Sequence, residues 1–197
     1  MSFGSSLLLV LSLLSFFPRF ASAQANSRPN ASALATMKWK LHYVEANGKL
    51  GRPDSAPTEF TEEEINTYLA SGEVKLPAGV QSVHLEGETG LVKGTARVDF
   101  DEVRSGHNSA NPLLSVFTGT HVVIVSAHAH GEGGQGFVQV DSVLLDGVPI
   151  PRFLLQLFAE KYLQPKHPEI GLDSQFVLPD KIATAVVRSH ALTVVQR

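Results

Sequence analysis

The chain has 197 residues, a length that fits one domain or two small ones. It contains no cysteine, which excludes disulfides, thiolate metal sites and a cysteine nucleophile. With 16 basic and 19 acidic residues the formal net charge is -3, which argues against a dedicated nucleic-acid binder. Charged residues make up 18% and hydrophobic residues 43%, so there is enough apolar material for a core.

An apolar run near the N-terminus predicts export. Residues 7–17 are apolar except for two serines, and the run is shorter than the about 20 residues that cross a bilayer. Ala21-Ser22-Ala23 then fits the small-x-small cleavage pattern, so we interpret residues 1–23 as a secretory signal peptide. An uncleaved anchor or a wrongly assigned start is the alternative, since no Lys or Arg precedes the run. We expect a periplasmic or extracellular mature protein without a transmembrane segment.

Residues 24–57 are predicted to form a polar leader and one helix. The leader, residues 24–32, is small and polar. Residues 34–44 fit both strand alternation and helical spacing. We favour the helix because Gly48 and Gly51 provide a stop.

A second helix is predicted over residues 60–70. Thr61 can cap it, and Glu64 stands three residues later, which completes a capping box. The three glutamates of this first turn suit the positive end of the helix dipole. Gly72 ends the helix.

The remaining chain is mostly β in pattern. Residues 92–100 alternate between apolar and polar side chains, as an amphipathic strand does. Residues 116–129 predict a long strand, residues 130–135 a glycine-rich hairpin loop and residues 137–145 the returning strand. Residues 182–196 are predicted to form one final strand.

Residues 151–163 predict an unusually apolar helix. Arg152, Gln156 and Glu160 form a narrow polar stripe, and most other positions are apolar. Such a helix must be covered over most of its circumference, either by a sheet that wraps it or by a bound apolar ligand. The residues expected to form the wall of a ligand site are Phe153, Leu154, Leu157, Phe158, Val122 and Ile124.

Two histidines are the best candidates in the sequence for a metal site. His128 and His130 stand at i and i+2 of a predicted strand, where both side chains share one face, and Glu132 can supply a third ligand. The spacing is common, and solvated histidines at a strand end are the stronger interpretation. We therefore predict no metal, no cofactor and no catalytic residue.

Several short motifs follow one another from Thr61 to the C-terminus. They are the helix start at residues 61–66, Leu76-Pro77 with Gly79-Val80, the strand over residues 90–99, Asp146-Gly147 before Pro149-Ile150-Pro151, and Leu178-Pro179 before the last strand. This layout resembles a group of uncharacterised bacterial exported proteins that are similar to small lipid-binding proteins of the tubular, helix-grip kind. The resemblance implies a curved antiparallel sheet wrapped on a helix and an apolar ligand, and it implies no catalytic residues.

The sequence therefore predicts an α+β fold, with a curved antiparallel β-sheet wrapped on an apolar helix and one or two further N-terminal helices. Residues 58–197 are expected to form a single domain. The expected function is non-enzymatic binding of a lipid or other apolar small molecule in the periplasm or envelope. The alternative is a structural or protein-interaction module without a ligand cavity. The third candidate function is a metal-dependent hydrolase that uses His128 and His130.

The signal peptide gives the first prediction. Protein recovered from the envelope or the medium should begin at Gln24, because Ala21-Ser22-Ala23 fits the cleavage pattern. N-terminal sequencing checks this, and a cytosolic protein that still begins at Met1 would contradict export.

Overall fold

The computed structural model describes residues 30–105, 118–160 and 171–197. Four helices and nine strands occur in this part of the chain. In chain order they are α1 (Ala31–Gly48), β1 (Thr58–Thr61), α2 (Glu62–Ala70), β2 (Val80–Glu88), β3 (Leu91–Asp99), α3 (Phe100–Ser105), β4 (Thr120–Glu132), β5 (Gln135–Leu145), β6 (Val148–Pro149), α4 (Arg152–Phe158), β7 (Asp173–Val177), β8 (Ile182–Arg188) and β9 (Ala191–Gln196).

Both N-terminal helices follow their local signals. The ambiguous segment is helical, as favoured from the sequence, and Met37, Leu41 and Val44 are its buried stripe at i, i+4 and i+7. The helix begins earlier than expected, at Ala31, because the Asn30 side chain accepts a hydrogen bond from the Ser32 N–H. Part of the predicted polar leader is therefore helical.

The capping box predicted for α2 is confirmed. The Thr61 hydroxyl accepts from the Glu64 N–H, and the Glu64 carboxylate accepts from the Thr61 N–H. Glu64 also pairs with Lys40 of α1 at 2.7 Å, so this glutamate joins the two helices as well as capping one. Within the described residues, none of the helices combines the length and apolarity needed to cross a membrane.

The nine described strands form one open antiparallel sheet, which confirms the α+β class. Its main path runs β1-β9-β8-β4-β3-β2, and β5 pairs with the other edge of β4 and carries β6 and β7. β4 changes partner along one edge. It pairs with β3 up to His128 and then with β8 at His130 and Gly131.

The turn between β2 and β3 occupies the point where β4 changes partner. The Gly90 carbonyl accepts from the Ala129 N–H at 3.0 Å, and the Gly90 N–H donates to the Val187 carbonyl at 3.1 Å. Gly90 has a φ of 74°, a value that side chains with a Cβ rarely adopt. One glycine thus bridges β4 and β8 where the sheet divides.

Two strand boundaries differ from the sequence prediction. β4 continues through Glu132, so His130 lies in a strand and the turn is confined to Gly133 and Gly134. The predicted final strand is a hairpin of β8 and β9, because the chain turns at Ser189 and His190.

The hairpin turn at His190 depends on distant residues. His190 has a positive φ of 57°, and its N–H donates to the Gly87 carbonyl at 2.9 Å. Histidine adopts this conformation less often than glycine does. Without Gly or Pro at the turn, the sequence contains no local signal for it.

In the part of the chain that the structure describes, the buried side chains form three core clusters. One lies under α1 and contains Met37, Val44 and Phe60 together with Ile182 and Val194. A second is centred on Val140 between β4 and β5, and a third lies between β2 and β3. The first cluster ties the N-terminal helix to the C-terminal hairpin.

A buried amide network closes the first cluster. The Gln196 side-chain amide donates to the carbonyls of Val44 and Asp180, at 2.7 and 2.6 Å, and its oxygen accepts from the Asn47 side chain at 2.8 Å. Gly48 lies against the Asp180 backbone, where an added Cβ would come within 2.5 Å of the carbonyl oxygen. The network therefore fixes the loop before β8 against the end of α1.

Asp180 gives a stability prediction. Its Oδ2 is buried and has no hydrogen-bond partner among the described residues, and desolvation raises the pKa of this carboxyl above its usual value. A raised pKa means that the folded state holds the proton more tightly. The stability contributed by this group is therefore present below the ordinary Asp pKa and is lost as the pH rises through the raised one.

We expect Asp180→Asn to raise the free energy of unfolding at pH 7 by up to about 1 kcal/mol. Asn tolerates the positive φ of 52° at this position and removes the buried charge. Urea unfolding at pH 7 and pH 3.5 measures the difference, which should shrink at the lower pH. A variant less stable than the wild type at pH 7 would contradict this account.

Candidate functional site

An apolar cavity of about 150 Å³ lies between the helices and the C-terminal hairpin. Met37 and Leu41 of α1 and Phe60 of β1 line one side, while Ile182, Val187 and Val194 of the β8–β9 hairpin line the other. Met37 is 1% exposed and Phe60 2% exposed, so this end of the cavity is closed to solvent. The cavity extends from the core cluster under α1 towards the point where β4 changes partner.

The sequence dictates this lining through its periodicities. Met37 and Leu41 are one helical turn apart on α1, and Val187 and Ala185 are two apart on β8, so each pair points to one side. Ala185 and Ala191 also line the cavity, where a larger side chain would occupy it. α1 packs nearby on β9.

Charged groups occupy one end of the cavity, and Glu62 is the most enclosed of them. Its Oε2 accepts from the Gly87 N–H at 2.9 Å and contacts His190 Nδ1 at 3.0 Å. Its side chain is 23% exposed. Hydrogen-bond donation by the Gly87 N–H, aided by His190, lowers the pKa of the Glu62 carboxyl below its usual value.

Glu62 therefore joins three segments at the rim, namely the start of α2, the end of β2 and the β8–β9 turn. The three glutamates, which were expected from the sequence to suit the helix dipole, each make a specific contact as well. Glu63 accepts from Asn30 at 2.8 Å, and Glu64 pairs with Lys40. Glu86 also lines the cavity, and it pairs with Lys93 at 2.9 Å on the surface.

His128 and His130 each contact a side chain of the neighbouring strand β5. His128 Nδ1 lies 2.7 Å from Asp141 Oδ2, and His130 stacks on Phe137 with ring centroids 5.0 Å apart. Glu132 is exposed. In residues 30–105, 118–160 and 171–197 the structure brings together no group of three or more His, Cys, Asp or Glu that could hold a metal ion.

The six residues predicted to form a ligand wall lie outside the lining of this cavity as the described residues define it. Phe153 is 64% exposed and Leu157 47% exposed on α4. Leu154, Val122 and Ile124 are half-buried, and the side chain of Phe158 lies outside the described set. Their binding role stays a prediction.

Sequence reasoning missed the lining because it selected α4 for its local apolar density. Leu155 of α4 packs on the core cluster around Val140, so the helix does have one covered side. The cavity instead takes its residues from α1, β1, the C-terminal hairpin and strands β2–β5 and β7, which are spread along the chain. The available signals were the helical spacing in α1 and the alanine positions at 185 and 191.

Comparisons of the chain with protein-family models, curated proteins and solved structures found no match.

Gly131 provides a test of the close packing beside the cavity. An added Cβ would lie 2.8 Å from both Ala185 Cβ and Leu178 Cδ1, and both of those residues line the cavity. We expect Gly131→Ala to lower the free energy of unfolding by about 1–3 kcal/mol, because β8 must move away from β4. Urea unfolding measures this change.

Gly51→Ala is the matched control. Nothing lies within 4 Å of its added Cβ, so its stability should change by no more than about 0.5 kcal/mol. Equal stability of the two variants would contradict the close approach of β4 and β8.

Proposed function

We propose that this protein is a non-enzymatic binding protein for a small apolar molecule or for the end of an acyl chain. The observation that supports the proposal is the apolar cavity between α1 and the β8–β9 hairpin. Its inner wall contains the buried side chains of Met37, Leu41 and Phe60. An apolar guest there would contact side chains that are already out of water, without disturbing a hydrogen bond.

The volume of the cavity limits the size of the ligand. Pockets for drug-sized ligands measure about 300–1,000 Å³, whereas this cavity is about 150 Å³. An apolar cavity of about this volume can bind a molecule as small as benzene. The sequence led us to expect a lipid, and this proposal restricts the bound part of the ligand to one ring or one short chain segment.

The proposal includes the cellular location and the finer architecture. Residues 1–23 fit a secretory signal peptide, so the protein would act in the periplasm or outside the cell. A sheet that curves around the apolar helix α4 remains part of the proposal, and α1 and α2 cover the cavity. α4 contributes Leu155 to the neighbouring core cluster.

A second candidate function is a protein-interaction module. It is favoured by apolar side chains that are exposed near β5, namely Val148, Phe153 and Val177 at 63%, 64% and 71%. Exposed apolar groups of this size mark interaction surfaces when they form a contiguous patch.

The methyl group of Met37 provides a direct probe of ligand binding. Met37 lines the cavity, and Met1 is the only other methionine of the chain. In protein labelled with methyl-¹³C methionine, titration with benzene and with 1-hexanol should shift the Met37 signal in a saturable manner. Met37→Leu assigns the signal.

Val187→Phe should abolish this shift, because the larger ring fills the cavity that Val187 lines. Val177→Phe makes the same substitution at a side chain that is 71% exposed and should leave binding unchanged. If neither compound shifts the Met37 signal of the wild type, the interaction module replaces the binding protein as the best proposal.

A further inference from the structure

The fixed charges around the cavity have one sign. Among the described lining residues the carboxylates are Glu62 and Glu86, neither Lys nor Arg is present, and His130 is the one histidine, with its ring stacked on Phe137. Lys93 lies next to Glu86 but is bonded to it at the surface, where both side chains are 46% exposed. The more enclosed charge, Glu62, has no cationic Lys or Arg partner in the part of the chain that the structure describes.

Glu62 has one oxygen available to a ligand. Oε2 is engaged by the Gly87 N–H and His190, while Oε1 makes no hydrogen bond within the described residues. The lowered pKa of this carboxyl keeps it ionised at neutral pH. An ionised carboxylate oxygen can only accept hydrogen bonds, so its natural partner is a donor.

The helix dipole does not reverse this preference. Glu62 is the first residue of α2, where the positive end of the helix would by itself attract an anion. Glu62, Glu63 and Glu64 already place three carboxylates on that turn, and the capping box satisfies the Thr61 and Glu64 N–H groups. The Glu62 N–H donates to the His190 carbonyl at 2.8 Å, so a carboxylate ligand would meet like charge at a turn where three of the four N–H groups already have acceptors.

We propose that the cavity selects apolar molecules that end in a hydrogen-bond donor, with an amine preferred over an alcohol, and that it rejects molecules ending in a carboxylate. The apolar part lies against Met37 and Phe60, and the donor meets Glu62 at the rim. This inference rests on the proposed binding function and adds the class of the ligand to it. Ordinary fatty acids are excluded, whereas short alkylamines are accepted.

Three probes of equal chain length test the selection at pH 7, namely 1-hexylamine, 1-hexanol and hexanoate. Their dissociation constants follow from the Met37 methyl titration. Hexylamine should bind at least about tenfold more tightly than hexanoate, with hexanol between them, because like charges at a desolvated site repel strongly. This ranking in the wild type tests the inference without any variant.

Glu62→Gln tests the assigned residue. The glutamine can still accept from the Gly87 N–H but has no charge. The ratio of the hexanoate dissociation constant to the hexylamine dissociation constant should therefore fall at least about fivefold, while hexanol binding is retained. Glu63→Gln removes the same charge one residue away, where the side chain is bonded to Asn30, and should leave the ratio unchanged.

The outcomes separate this inference from the proposed function. Hexanoate binding as tightly as hexylamine, or an unchanged ratio in Glu62→Gln, overturns the selection but leaves an apolar binding site. The absence of a Met37 shift with all three probes, and with benzene, overturns both.

Discussion

The backbone hydrogen bonds of Gly90 determine how the sheet is divided. β4 is the longest described strand, and one of its edges is shared by β3 and β8. Gly90 lies at the junction, accepting from Ala129 of β4 and donating to Val187 of β8. Because β8 leaves β4 after two paired residues, the β8–β9 hairpin separates from β3, and space remains between the two parts of the sheet.

The cavity is a consequence of that division. Met37 and Leu41 from α1 and Phe60 from β1 cover the space, but they do not fill it completely. Protein interiors are normally packed with few voids larger than a water molecule, so an unfilled volume of about 150 Å³ is a feature that needs a reason. Binding of a small apolar guest provides one, since the guest would restore the missing contacts.

Glu62 connects the rim of the cavity to the same junction. Its carboxylate holds the Gly87 N–H, and the Gly87 carbonyl holds the turn of the β8–β9 hairpin through the His190 N–H. The group that is proposed to choose the ligand is therefore also one that holds the two hairpins together. A ligand donor that contacts Glu62 would act next to the bonds that define the cavity.

The parts of the fold with local signals were predictable, and the parts that depend on distant contacts were not. The capping box of Thr61 and Glu64 involves four consecutive residues, and the structure confirms it. The turn at His190 is held by Gly87 and Glu62, over 100 residues away in the chain, so no pattern within residues 182–196 indicates it. The α+β class was predictable from the alternation of apolar and polar side chains in strands such as β3, whose Ala96 and Val98 are buried.

The candidate site was harder to predict for the same reason. The apolar density of α4 is local and drew attention to Phe153 and Leu157, both of which are exposed. The cavity combines α1, β1, the last hairpin and parts of β2–β5 and β7, each with an ordinary apolar pattern. Only the tertiary arrangement shows that their apolar faces leave a volume unfilled.

A crystal structure of the protein pressurised with xenon tests the central claim most directly. Xenon binds in apolar cavities of about this size without requiring a specific hydrogen bond. The account predicts an ordered xenon atom in contact with Met37, Leu41 and Phe60. Side chains that close the space between α1 and the β8–β9 hairpin, with no xenon bound there, would contradict it.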